Sequence, residues 1–301
     1  MKRPSRDPGE QIKQILRREV NYGCPVRFAD GSGCGSPILT FHHFDPPWPQ
    51  ILAHNPMGMV ALCPQHHHQA DGGLWSKAQL QQLKKFPYVD DTLKVSWPWQ
   101  PETLVMKVGP SLVIGSGSPI RLDSMPIMRF YPHMVEGLGI QTVVFDSDIR
   151  DAQKKRWLRI EDSWFDLRLE NTTDVVFTPQ TKTFVAKHND NTFISLQFKK
   201  YELREFFKWT QSFITKPEIV SSIPASIEKV RAIDSDGFVP IVVVEGMFKT
   251  DKVSVAIKGD KMHFECFLPG LQESFEWHSW VVDDIHRAKL LANGCEFFSL
   301  G

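Results

Sequence analysis

Residues 39–71 read Leu39-Thr-Phe-His-His-Phe-Asp-Pro-Pro47 and then, beyond a loop, Gly58-Met-Val-Ala-Leu-Cys-Pro-Gln-His-His-His-Gln-Ala-Asp71. The first phrase looks extended. Side chains alternate along a strand, so His42 and His43 would project from opposite faces, and one ion could not easily use both. The second phrase sets an apolar run ahead of Cys63. If the segment after Pro64 is helical, His67 and Asp71, four apart, share one face.

The same region is dense in metal donors. Between Cys24 and Asp71 lie Cys24, Cys34 and Cys63, three of the five cysteines, and six of the eleven histidines. A structural zinc needs four soft or borderline donors at a tetrahedron, commonly two from each of two loops. Cys24 and Cys34 supply one pair, and Cys63-x2-His66 supplies the other at the spacing of a single knuckle. Pro25, Asp30, Gly31 and Gly33 favour turns, so the long gap of the first pair can loop out. The plain alternative is that Cys24 or Cys34 is a buried thiol. A lone histidine is more often a satisfied core residue than a ligand. Here His42-His43 stands close to a second histidine cluster, which favours function. His42, His67 and Asp71 offer imidazole and carboxylate donors for a divalent ion that also binds phosphate oxygens. His43 would face a water.

The rest of the chain bounds the reading. Its 301 residues are long for one core, so a small module joined to a larger one is expected. Lys plus Arg equal Asp plus Glu at 35 each, which excludes a general polyanion-binding coat and leaves phosphate contact local. The first twenty residues carry a modest basic bias, including Arg6, Lys13 and Arg17. Such a segment is more often a solvated face. No apolar leader follows Met1, no run is long enough to span a bilayer, and the odd cysteine count argues against a disulfide framework, so a cytoplasmic protein is expected. Cys266 and Cys295 read as buried thiols.

Ile12, Ile15, Leu16 and Val20 predict a helix over 10–20, and Ser76 caps a second that Phe86-Pro87 stops. After Trp97, Pro98, Trp99 and Pro101, short apolar or alternating runs between turn-formers predict strands from Leu104 to Phe198 and again from Pro240 to Phe298, with a helix over 201–214. The expected class is α+β, divided at 1–92, 93–200 and 201–301, the last two packed as one mostly-β domain. Trp157, Trp164, Trp209, Trp277 and Trp280 could stack on bases or a ligand, but alternating aromatics are more often core.

Taken together, the cysteine pair, the His42-His43 strand and Leu-Cys-x2-His-His opening a helix resemble the zinc-containing HNH (His-Me finger, ββα-metal) endonucleases, over about residues 20 to 85. The phrasing is similar to a bacterial and phage-associated branch in which a β-rich region follows. The resemblance implies metal-dependent hydrolysis of phosphodiesters, in DNA first. His43 matches the general base and His42 the preceding metal ligand. His67 matches the histidine after the fourth zinc ligand, which places His66 on the zinc. A catalytic Mg2+ or similar ion would sit on His42 and His67 with help from Asp71. The family's middle asparagine falls where this chain has Gly58, leaving Asn55 as the candidate to orient His43 or the ligand loop. The triple histidine leaves one register open. The alternatives are a non-catalytic zinc module binding nucleic acid or protein, and a nuclease controlled by a ligand or protein at the β-rich region, as a defence effector would need.

Overall fold

The computed structural model describes residues 5–96, 105–109, 111–114, 120–122, 125–178, 182–202, 204–205, 238–249, 253–259, 261–268, 271–276 and 281–282. They form a mixed structure rich in β-sheet, divided into two compact units. One runs to Ser96 and also takes in Phe165–Pro179 and Phe184–Asn189; the other holds the remainder. The first unit therefore reaches past the expected division at 92 and draws in segments assigned from sequence to the β-rich region. No described helix is long and apolar enough to cross a membrane.

In the first unit α1 (Glu10–Glu19) precedes a hairpin of β1 (Thr40–His43) and β2 (Met59–Leu62), followed by α3 (Pro64–Asp71) and α4 (Lys77–Lys85); the one-turn α2 (Trp48–Ile51) lies in the hairpin's loop. β1 and β2 pair antiparallel, with His42 opposite Val60 and His43 opposite Met59. All four residues of β2 are buried, as a continuous apolar strand covered on both faces should be. Leu16 and Val20 of the first helical segment, Cys24, Val26, Phe44, Ala70 and Leu80 complete this core, whereas Ile15 is exposed. The capping box at α4 is present: Gln79 N donates to Ser76 Oγ at 3.3 Å and Ser76 N to Gln79 Oε1 at 2.8 Å.

Gly58 closes the loop between the two strands. Its carbonyl accepts from Phe44 N and Asp45 N at 2.9 and 3.1 Å. A Cβ there would stand 1.6 Å from the Asp45 carbonyl oxygen, so no side chain fits at this position.

The later segments of this unit are β3 (Thr92–Ser96), which pairs with residues of β10 (Trp164–Arg168), and β11 (Thr172–Thr178), which pairs with β12 (Thr183–His188). Phe165, Phe177 and Phe184 pack there with ring centroids 4.6 to 6.2 Å apart. Arg17 of α1 holds β11 through two hydrogen bonds, Nε to Asp174 Oδ1 at 3.0 Å and Nη2 to Oδ2 at 2.9 Å, with both side chains buried. Removing one partner strands a buried charge, so Asp174→Ala is expected to cost about 3–5 kcal/mol, read as a fall in the denaturant midpoint. A midpoint unchanged within error would show that Glu10, which also reaches Arg17 Nη2, suffices as its partner.

In the second unit β6 (Ile120–Leu122), β7 (Met125–Val135), β8 (Ile140–Arg150) and β9 (Arg156–Glu161) run as one antiparallel meander. β13 (Phe193–Glu202), β14 (Phe238–Lys249), β15 (Val253–Lys258), β16 (Lys261–Leu268) and β17 (Leu271–Glu276) form a second. β4 (Val105–Val108) joins β14 in parallel, β5 (Ser111–Ile114) pairs with β4, and β18 (Val281–Val282) with β5. Phe145 packs on Phe130 and Phe198 at 5.5 and 6.3 Å. Trp157 is buried and Trp164 exposed. Tyr201 and Glu202, expected to begin a helix, instead finish β13 opposite Val239 and Phe238. Arg204 and Glu205 are helical; the rest of that expected helix, the expected linker tryptophans, Trp209, Trp277, Trp280 and the expected final strand near Cys295 lie outside the described residues.

Candidate metal centres

Two groups of donors converge in the first unit. Cys24, Cys34, Cys63 and His66 bring their ligand atoms within 4.8 Å of one another, and so do His42, His67 and Asp71. The register of the triple histidine follows from α3: His66 is buried on the cysteine side, His67 turns to Asp71 one helical turn on, and His68 is exposed.

The long gap between Cys24 and Cys34 is closed by backbone pairing. Cys24 N donates to Ser36 O, Gly35 N to Cys24 O, Cys34 N to Val26 O and Phe28 N to Ser32 O, at 2.7 to 3.1 Å, with Asp30 accepting from Ser32 at the tip. Cys63 caps α3, accepting from His66 N at 3.5 Å, which folds Cys63-x2-His66 into its knuckle. Cys34 Sγ lies 3.8 Å from Cys63 Sγ. Sulfurs about 2.3 Å from a tetrahedral zinc are about 3.8 Å apart, so that edge fits zinc. His66 Nδ1 is 3.2 Å from both Cys24 Sγ and Cys63 Sγ. The thiols are already divided in proton affinity. The hydrogen bond with Cys24 brings Cys34 down to about 5, while that bond and burial push Cys24 up, and burial raises Cys63. Among the described residues this Cys3His cluster could hold a metal and is compatible with zinc.

The second group is set by hydrogen-bond direction. Thr40 Oγ1 donates to the Leu62 carbonyl at 3.1 Å, so its oxygen accepts from His67 Nδ1–H at 2.8 Å. Neutral His67 then carries its lone pair on Nε2, a buried atom without a hydrogen-bond partner, 3.6 Å from Asp71 Oδ2. His42 Nδ1 lies 3.1 Å from Asp71 Oδ1. Donors about 2.1 Å from one octahedral centre stand about 3 Å apart, so the spacing of His42 and Asp71 suits a common divalent ion, and with His67 the group could hold one. Two imidazoles with one carboxylate suit a borderline transition ion better than Mg2+, which takes mainly oxygens. Burial lowers the proton affinity of both His42 and His67, keeping the rings neutral.

His43 stands on the other face of the strand. Burial first, then the facing His54, bring it down to about 4, so it is a neutral base at pH 7. Its Nε2 is 3.0 Å from His54 Nδ1, and its Nδ1 is buried without a partner. Asn55 is not brought to this site. Its side chain accepts from Met57 N at 3.2 Å and caps the 3-10 turn at Pro56–Gly58, while its neighbour His54 meets His43. Sequence reasoning missed His54, Thr40 and Trp48, and held Arg6 only as part of a basic segment. A single loop histidine and a strand threonine carry no periodic signal, although Thr40 stands two residues before His42. Arg6 Nη2 reaches Asp71 Oδ1 at 3.2 Å. A cavity of about 480 Å³ opens beside His67, lined also by Arg6, Lys13, Leu39, Phe41 and Phe177. Comparison of the chain with protein-family models, with curated proteins and with solved structures gives no match.

Proposed function

We propose that the first unit is a metal-dependent endonuclease of the HNH kind, hydrolysing phosphodiester bonds in nucleic acid, with DNA the substrate class its resemblance implies. One observation carries the reading: His42, His67 and Asp71 converge separately from the Cys3His cluster, and His43 offers a bare, buried Nδ1 from the next position along the strand. A purely structural zinc module accounts for Cys24, Cys34, Cys63 and His66. It leaves the unpaired atoms of His43 and His67 unexplained, each costing about 1–3 kcal/mol if nothing ever binds there.

His43 Nδ1 takes a proton from water as the water oxygen bonds to phosphorus and the bond from phosphorus to the sugar oxygen breaks. The leaving oxygen takes a proton from solvent and His43 afterwards releases its own to solvent, so the net change adds hydroxyl to phosphorus and a proton to the leaving oxygen. His42, His67 and Asp71 would hold a divalent ion, which would supply positive charge against the phosphate oxygens. Arg6 is suited to the same phosphate. Its pair with Asp71 is half exposed and therefore weak, leaving the guanidinium able to turn to a phosphate oxygen. The cavity beside His67 gives the flanking nucleotide room.

The test is cleavage of plasmid, single-stranded DNA and RNA by the full chain across a series of divalent ions. Mn2+ or Co2+ is expected to outperform Mg2+ by about tenfold, given the imidazole donors. Asp71→Ala should lose cleavage with every ion while keeping its zinc. Equal cleavage with and without chelator, or none with any ion, would sink the proposal.

A further inference from the structure

His54 stands beside the base with no role in the reaction described above. Its Nε2 lies 3.1 Å from the backbone oxygen of Ser5. A carbonyl can only accept, so the hydrogen sits on Nε2 and neutral His54 presents a lone pair at Nδ1. That lone pair faces His43 Nε2 at 3.0 Å, so His43 Nε2–H is the donor. The lone pair of His43 is thereby placed on Nδ1, the atom left without a partner.

The surroundings fix the two rings as well as the protons. Trp48 stacks on His54 with centroids 4.9 Å apart at 23° and tilts against His43 at 5.0 Å and 55°. Leu52 ends the short helix in the left-handed region, φ 49° and ψ 33°, which turns the chain so that His54 comes back over Trp48. A leucine held there is strained, and such strain persists where the surrounding structure demands the geometry.

We propose that His54 is a positioning residue for the base: the series Ser5 carbonyl, His54, His43 holds His43 in the tautomer whose Nδ1 accepts the water's proton. This rests on the reading of His43 as that base. An adjacent base is usually oriented by a third group, and here a neutral imidazole fills the place often taken by a carboxylate. When Nδ1 gains the proton, the His43 ring becomes cationic and its Nε2–H···Nδ1 bond to His54 becomes charge-assisted, about twice as strong as before. The bond therefore strengthens with proton transfer and acts on kcat more than on KM.

His54→Ala is expected to lower kcat about 10- to 100-fold with KM nearly unchanged, the size seen when a partner orienting a metal-bound histidine is lost. His54→Asn, whose amide oxygen can stand where Nδ1 stood, should recover most of that loss, and His54→Leu should not. Nitrogen NMR of the histidine rings should show the Nε2–H form of His43 in the wild type and a mixture of tautomers in His54→Ala. Cleavage by His54→Ala at the wild-type rate, or a wild-type His43 protonated at Nδ1, overturns the role of His54 and leaves the nuclease reading standing. A wild type that cleaves nothing overturns both.

Discussion

His43→Ala is expected to lower the cleavage rate by about 10³-fold while leaving zinc content at the wild-type value and the fold intact; general-base catalysis typically contributes about 10²–10⁴-fold. The expectation comes from what His43 does and does not touch. It lies outside the Cys3His cluster, so the four donors there are undisturbed. Its Nδ1 has no hydrogen-bond partner to lose, and Nε2 gives up only the bond to His54. One neutral hydrogen bond contributes about 1 kcal/mol net, and the loss of contact with Trp48 adds a modest cavity cost. Chemistry should therefore fall far more than stability. Added free imidazole should restore part of the rate, since the vacated space beside Trp48 can admit it. His42→Ala separates the two roles, because it should weaken binding of the divalent ion, a defect that excess ion partly relieves. Nicking by His43→Ala at the wild-type rate, with folding and zinc verified, would remove His43 as the base.

Much of this site was legible because local periodicity carries it. Two adjacent histidines in a strand must face opposite ways, and the structure sends His42 to Asp71 and His43 to His54. Cys63-x2-His66 is a local spacing, and so is the four-residue step from His67 to Asp71. The capping box of Ser76 and Gln79 is equally local. What escaped reading depends on distant partners. Nothing near Arg17 announces Asp174, yet that buried pair ties the strand at Thr172–Thr178 to the N-terminal helix and moves the boundary of the unit. The same holds for Thr40, whose role exists only because the Leu62 carbonyl fixes its hydroxyl. At Asn55 the expected residue type was present, but its side-chain oxygen caps its own turn, a common local use of asparagine. At Tyr201 and Glu202, pairing with Phe238 and Val239 outweighs helical spacing, since a strand partner supplies what local pattern cannot show.

Removing zinc is expected to unfold the first unit, and with it to abolish cleavage even when the divalent ion is in excess. Structural zinc bound by cysteine and histidine contributes about 10–16 kcal/mol, comparable with or larger than the roughly 5–15 kcal/mol by which whole domains are stable. The cluster stands at the centre of this unit: Cys24 and Cys63 belong to the core with Leu16, Val26 and Leu62, and Trp75 packs edge-on against His66 at 5.8 Å. Without the ion, three cysteines and an imidazole remain packed together with only their mutual hydrogen bonds. Cys63 also follows β2 directly and caps α3, so its release frees the helix that carries His67 and Asp71. The Cys3His cluster thus fixes the position of the second donor group through one turn of helix. Elemental analysis should give one zinc per chain, and Cys63→Ala should retain far less. After treatment with a strong chelator, amide exchange should accelerate throughout Thr40–His43, Met59–Leu62 and Pro64–Asp71, and restoring zinc should reverse it. A chelated protein whose exchange and melting are unchanged would make Cys24, Cys34 and Cys63 ordinary buried thiols, and the placement of His67 and Asp71 would then rest on the apolar core alone.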